Sequence, residues 1–92
     1  MNQRAVHIYF EGRVQGVGFR FTARDFANRH NVKGWVMNLA NGDVELVAEG
    51  NSEDLDGFLH ELHTEFKSYI TDFKVEKIST QGGFCDFQIR FY

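Results

Sequence analysis

The stretch AVHIYFEGRVQGVGFR, residues 5–20, joins a strand-like pattern directly to a glycine-rich turn. Its first half alternates apolar with more polar side chains, and this period of two is typical of a strand with one buried face. The apolar positions of that face are Val6, Ile8 and Phe10. Three glycines then fall within seven residues, at Gly12, Gly16 and Gly18. Such a cluster of glycines indicates that the strand ends and that the chain turns.

A helix is predicted immediately after this turn, from Phe19 to about Asn31. Apolar or weakly polar side chains recur there at helical spacing, so that one face of the helix can be buried. These positions are Phe19, Ala23, Phe26, Ala27 and His30. The opening stretch therefore predicts a strand, a glycine turn and a helix that packs through Phe19.

The middle of the chain predicts a hairpin followed by a second helix. Residues 32–38 and 44–48 are predicted strands, and Asn41-Gly42 between them is a strong hairpin signal because both residues tolerate positive φ. Asn51 or Ser52 is expected to cap the next helix, with acidic side chains in its first turn. That helix has an apolar stripe at Leu55, Phe58, Leu59, Leu62 and Phe66.

Two further strands complete the predicted fold, one over residues 70–78 and a short last one over 84–91. The order β-α-β-β-α-β, with a short fifth strand at the C-terminus, belongs to the α+β class. Two helices with one apolar stripe each must cover one face of an antiparallel sheet, which gives the ferredoxin-like βαββαβ sandwich. We expect residues 1–92 to form one domain, because 92 residues leave no room for two.

Composition excludes several classes of protein. No apolar run is long enough to cross a bilayer, and the first ten residues lack the apolar core of a secretory signal. The single cysteine, Cys85, excludes an internal disulfide framework and any multi-cysteine metal site. We expect a cytoplasmic protein in which the Cys85 thiol and the Trp35 ring are buried.

Charge is distributed unevenly along the chain. The formal net charge is -3, which argues against nucleic-acid binding, since that depends on surplus Lys and Arg. Residues 1–33 nevertheless carry a net charge of +4 and residues 34–92 a net charge of -7. A basic first third suggests a local anion site. The alternative interpretation is a chance scatter of solvated side chains.

The glycine turn is the candidate for that anion site. A helix N-terminus presents unpaired N–H groups, and glycines allow several amides to point into one concavity. Arg20 lies in the first helical turn, where its guanidinium can hold two phosphate oxygens. The turn lacks the full dinucleotide fingerprint and the Walker pattern, so a purely structural tight turn stays open as the alternative.

Five motifs together make the chain recognisable: GRVQGVGFR (12–20), GWVMN (34–38), NGDVE (41–45), AEG (48–50) and FQIR (87–90). The chain closely resembles the acylphosphatase family over almost its whole length. That resemblance implies the ferredoxin-like fold and hydrolysis of the carboxyl–phosphate bond of acyl phosphates, without a metal or an organic cofactor. It also implies a small-molecule substrate, and we expect a monomer. The net charge and the lack of a long apolar run argue against nucleic-acid and membrane partners.

The resemblance also implies a role for individual residues. Arg20 corresponds to the family's phosphate-binding arginine and Asn38 to its water-orienting asparagine. The amides that cradle the phosphate are those of Gln15, Gly16, Val17, Gly18 and Phe19. Neither of the first two motifs contains His, Cys or Glu, and the resemblance implies that the bound phosphate itself takes the proton of the attacking water. A phosphate-binding module without catalytic activity is the alternative function.

Overall fold

A computed structural model describes residues 2–91, which form five strands and two helices. In chain order these are β1 (Gln3–Gly12), α1 (Phe19–Arg29), β2 (Lys33–Asn38), β3 (Val44–Asn51), α2 (Ser52–Phe66), β4 (Ile70–Ile78) and β5 (Phe87–Arg90). The predicted order and the α+β sandwich are confirmed. None of the helices in residues 2–91 is long and apolar enough to cross a membrane.

The strands form one open sheet in the order β4-β1-β3-β2-β5. β3 pairs antiparallel with both β1 and β2, and β4 pairs antiparallel with β1. The short β5 instead runs parallel to β2, from the pair Gly34–Phe87 to the pair Met37–Arg90. The four long strands are therefore antiparallel as expected, and β5 makes the sheet mixed.

Both helices cover the same face of the sheet. Phe19 of α1 is 2% exposed and packs against Phe10 of β1 and Phe66 of α2, with ring centroids 5.0 and 4.7 Å apart. Phe58 of α2 is fully buried and contacts Phe87 edge-on at 5.8 Å. Burial of these aromatic side chains helps to hold both helices on the sheet.

The pairing of β3 places the C-terminal ends of β1 and β2 close together. Phe10 in β1 and Asn38 in β2 both pair with Val44, the first residue of β3. Since β1 and β2 each run opposite to β3, they run parallel to one another and end at the same edge of the sheet. The glycine-rich turn after β1 and the side chain of Asn38 therefore lie at one end of the molecule.

Two expectations about buried side chains are wrong. Cys85 is exposed, because β5 begins only at Phe87 and leaves Cys85 in the preceding turn. Trp35 is half-buried on the open face of the sheet, where the Arg90 guanidinium lies 4.9 Å from its ring centroid. A cation over an indole ring covers it without burying it in the core.

Gly34 gives a stability prediction for the strand that carries Asn38. Its φ is +142°, and an added Cβ would lie 1.9 Å from the carbonyl oxygen of Val47. We expect Gly34→Ala to lower the free energy of unfolding by at least about 2 kcal/mol in urea denaturation. Gly83→Ala is the matched control, because nothing lies within 4 Å of the Cβ it would add. An equal effect of both substitutions would contradict the close approach of β2 and β3.

Candidate active site

The turn between β1 and α1, residues 13–18, is here called the glycine loop. Gly16 and Gly18 have φ values of +78° and +81°, which side-chain-bearing residues rarely adopt. Gly18 is the N-cap of α1 and provides no side chain to accept from the first helical amides. The loop therefore reaches the helix start with its backbone uncovered.

The two helices begin in opposite ways. At α2, the Asn51 side chain accepts a hydrogen bond of 2.9 Å from the Asp54 amide, and Glu53 and Asp54 lie in the first turn. At α1, no side chain caps the helix and the first turn contains no acidic residue. The positive end of α1 is therefore left uncompensated by the protein, which is the arrangement that favours an anion.

The amides at the start of α1 are also unengaged. Among the hydrogen bonds formed within residues 2–91, none uses the N–H groups of residues 16–20 as donors. Buried or partly buried backbone donors normally find a partner. A group of free amides in a loop with positive φ angles is the local structure that binds phosphate-like anions.

Buried side chains hold the glycine loop on both sides. Val14 is fully buried and Phe19 is 2% exposed. The Arg13 amide donates to the Tyr69 carbonyl at 2.9 Å, and the Thr22 amide donates to the Gly18 carbonyl at 3.1 Å. The loop is thus anchored to the core at both of its ends.

Arg20 follows the loop in the first turn of α1. Its side chain forms no ion pair with the residues described by the structure, whereas Arg29 on the same helix pairs with Glu61 at 3.1 Å. The Arg20 guanidinium instead lies 5.4 Å from the ring centroid of Phe91. A cation–π contact orients a guanidinium while leaving its N–H donors available in the plane of the fork.

Asn38 ends β2 beside the loop. Its Oδ1 is buried and has no hydrogen-bond partner among the described residues. Burying an acceptor without a partner is costly, and such an atom in a native site calls for a ligand or an ordered water. The Asn38 amide is therefore available for hydrogen bonding within the site.

Arg20 and Asn38 meet in a cleft of about 260 Å³. It is lined by Val14, Gly16, Gly18, Phe19, Arg20, Phe21 and Asn38. An adjoining cleft of about 250 Å³ shares Arg20 and Asn38 and is completed by Arg90 and Phe91. Of the described residues that line either cleft, none carries a carboxylate, an imidazole or a thiol.

The predicted site residues divide into two groups. Gly16, Gly18, Phe19, Arg20 and Asn38 all line the cleft. Gln15 and Val17 belong to the loop, but neither is a lining residue: the Gln15 side chain bonds to the turn after β2, and Val17 packs against the core.

Some lining residues were missed from the sequence. Phe21 and Phe91 are 63% and 78% exposed, and both border the clefts. The position of Phe91 beside Asn38 follows from the parallel pairing of β5 with β2, which the sequence does not reveal. For Phe21, the one signal in the sequence is its position on α1, which lies outside the apolar stripe and so predicts a surface side chain.

Another cleft, at the other end of the sheet, differs in charge from the two beside Arg20. It has a volume of about 270 Å³ and includes Glu49 and Asp54 among its lining residues. The Glu49 carboxylate already accepts hydrogen bonds from the amides of Gln81 and Gly82, at 2.6 and 3.0 Å. Lys33 also lines this cleft, but the two carboxylates outnumber that single cation, which makes the cleft less suited to a phosphate anion than the one beside Arg20.

The fold and the cleft beside Arg20 together define a class: a ferredoxin-like α/β sandwich whose strand–loop–helix junction has the features of an anion site. The family model described as Acylphosphatase matches residues 6–89. A relative from Treponema denticola, named Acylphosphatase, is 40% identical over 87 residues, covering 94% of this chain and 92% of its own. The chain therefore belongs to the acylphosphatase family.

Solved structures agree with this assignment. The crystal structure of acylphosphatase from Bacillus subtilis is 35% identical, with a TM-score of 0.86 and coverage of 95% of this chain and 98% of that chain. The crystal structure of T. kodakarensis HypF is 34% identical with a TM-score of 0.81, and the match covers 95% of this chain but 12% of that one. A similar domain is thus a small part of that longer chain.

The cleft predicts stabilisation by inorganic phosphate through Arg20. At a concentration of about 100 times Kd, phosphate should raise the Tm by roughly 10 °C in differential scanning fluorimetry, since it binds only the folded chain. Arg20→Ala should abolish this shift. Arg24→Ala removes the same charge one turn further along α1 and should retain it. A phosphate-induced shift that is retained in Arg20→Ala, or one that is lost in Arg24→Ala, would contradict the site.

Proposed function

We propose that Arg20, Asn38 and the amides of the glycine loop carry the hydrolysis of acyl phosphates to a carboxylate and inorganic phosphate. The convergence of Arg20 and Asn38 on one cleft, with Gly16 and Gly18 beside them, is the observation that supports this proposal. Small acyl phosphates, which are mixed anhydrides of a carboxylic acid and phosphoric acid, suit a cleft of this volume bordered by the arginines Arg20 and Arg90. The chain is accordingly an acylphosphate phosphohydrolase of the acylphosphatase family.

The chemistry requires positioning more than covalent catalysis. The carboxylate of an acyl phosphate is a good leaving group, so phosphoryl transfer to water needs alignment and stabilisation of charge. The planar guanidinium of Arg20 donates hydrogen bonds to two phosphoryl oxygens. The loop amides donate to the phosphoryl oxygens as well and stabilise their negative charge. These donors are fixed before the substrate binds because Val14 and Phe19 anchor the loop.

Asn38 orients the attacking water. A carboxamide both donates and accepts, so it can hold a water in one orientation. The water oxygen forms the new bond to phosphorus, the bond to the acyl oxygen breaks, and its electron pair leaves with the carboxylate. In the proposed scheme the water proton passes to a phosphoryl oxygen. The absence of carboxylate, imidazole and thiol groups from the described lining residues supports that route.

Partner and compartment form part of the same proposal. The chain acts as a monomeric unit over residues 1–92, on a small-molecule substrate and without nucleic acid. A net charge of -3 supports the last point. An exposed free thiol at Cys85 fits a reducing compartment and supports a cytoplasmic location. Size-exclusion chromatography with light scattering at working concentration tests the monomer.

The test of the function is hydrolysis of benzoyl phosphate in the presence of EDTA. Arg20→Ala should lower turnover by at least about 100-fold, the scale for removal of an oriented donor. Arg20→Lys should recover little, because a point charge does not replace the fork. Asn38→Ala should lower kcat while inhibition by inorganic phosphate stays within about 3-fold of wild type, since Asn38 acts on water.

Asn28→Ala is the matched control, because Asn28 is an exposed asparagine on α1 outside both clefts. It should retain wild-type turnover. If Asn38→Ala weakened phosphate inhibition as much as it lowered kcat, the water-orienting role would be wrong. A folded wild type that binds phosphate but turns over no acyl phosphate would favour the alternative, a phosphate-binding module without catalytic activity.

A further inference from the structure

The side-chain amide of Gln15 leaves the glycine loop and reaches the turn after β2. Its Nε2 donates to the carbonyl oxygen of Leu39 at 2.7 Å and to that of Asp43 at 2.9 Å. A carboxamide nitrogen carries two hydrogens, so both donors of Gln15 are used. The acceptors lie 24 and 28 positions away along the chain. This side chain therefore joins two segments that the sequence keeps far apart.

The two acceptor carbonyls belong to the first and last residues of the turn, Leu39 and Asp43. Leu39 directly follows Asn38, and its amide donates to the Asp43 carbonyl at 2.9 Å. The Gly42 amide donates back to the Leu39 carbonyl at 3.2 Å. The Gln15 amide bridges the same two carbonyls from outside the turn. It thus fixes the backbone that immediately follows the proposed water-orienting residue.

The glycine loop is anchored in the core more firmly than the turn to which Gln15 connects it. The glycine loop is held by the buried side chains of Val14 and Phe19. In the turn, residues 39–43, no side chain is fully buried, and Asn38 itself is only half-buried. Loss of the bridge should therefore displace the turn and Asn38 and leave the loop in place.

We propose that Gln15 is a positioning residue that sets Asn38 relative to the glycine loop through its two hydrogen bonds to Leu39 and Asp43. The assignment deepens the function proposed above and rests on the role given there to Asn38. It differs from the sequence-based expectation, which gave Gln15 a role through its backbone amide alone. The side chain acts on the water step and not on the phosphate.

A double-mutant cycle with Asn38 tests this coupling. Gln15→Leu keeps the size of the side chain and removes both donors, and it should lower kcat about 10-fold or more because the attacking water is misplaced. Inhibition by inorganic phosphate should stay within about 3-fold of wild type. In the Asn38→Ala background, Gln15→Leu should change kcat less than 2-fold, because its effect passes through Asn38. Additive losses, or an equal loss of phosphate inhibition, would overturn the proposal.

Gln15→Glu adds a signature that simple destabilisation would not produce. An ionised carboxylate facing two carbonyl oxygens is disfavoured, so the pKa of the introduced group should lie above the ordinary value of about 4.3. As the pH falls through that pKa, the protonated carboxyl regains one donor. The kcat of the variant relative to wild type should therefore rise at acidic pH, whereas the same ratio for Gln15→Leu stays flat. A flat ratio for Gln15→Glu would count against the bridge, and this test stands even if Gln15→Leu does not fold.

Gln81 provides the matched control. Its Nε2 also donates to a backbone carbonyl, that of Ser79 at 3.1 Å, and it lies in the turn beside Glu49 at the opposite end of β3. Gln81→Leu and Gln81→Glu should leave kcat and its pH dependence unchanged. Wild-type turnover in Asn38→Ala would refute the role proposed for Asn38, on which this inference rests, whereas a large loss in Asn38→Ala with none in Gln15→Leu would refute only the role of Gln15.

Discussion

The antiparallel pairing of β3 with both β1 and β2 is the constraint on which the site depends. Because Phe10 and Asn38 pair with the same residue, Val44, the glycine loop and the end of β2 are brought to one edge of the sheet. The close approach at Gly34, where only hydrogen fits against Val47, keeps β2 in this register. The site is thus a consequence of strand order, and its side chains complete it.

A second constraint is the contrast between the two helix starts. The N-terminus of α2 is satisfied by Asn51 and two acidic residues, which is how a protein stabilises a helix for its own sake. The N-terminus of α1 has neither, and Gly18 replaces the cap with a left-handed turn. The start of α1 lacks the stabilisation that a side-chain cap and acidic residues would provide. Its backbone amides and the positive end of the helix therefore stay available to an anion such as a phosphoryl group. Buried Val14 and Phe19 keep this uncapped end rigid.

Sequence reasoning was most accurate where one periodicity dominates. The alternation through Val6, Ile8 and Phe10 and the stripe on α2 predicted the elements that the structure contains, because burial of a single face decides both. It was wrong for Cys85 and Trp35, since alternation does not reveal where a short edge strand begins or which face of a sheet the helices cover. The motif around Arg20 indicated the cleft, but the Gln15 bridge depends on two carbonyls set by tertiary structure, which no spacing encodes.

The central claim is that phosphate binds at the glycine loop in the same cleft in which Asn38 orients the attacking water. A titration of the ¹⁵N-labelled chain with inorganic phosphate, followed by amide and side-chain NMR signals, tests it most directly. The account predicts saturable shifts at the amides of Gly16 to Arg20 and at the Asn38 carboxamide, all with one dissociation constant. Shifts confined to the cleft beside Glu49, or loop and Asn38 signals that saturate at different phosphate concentrations, would contradict it.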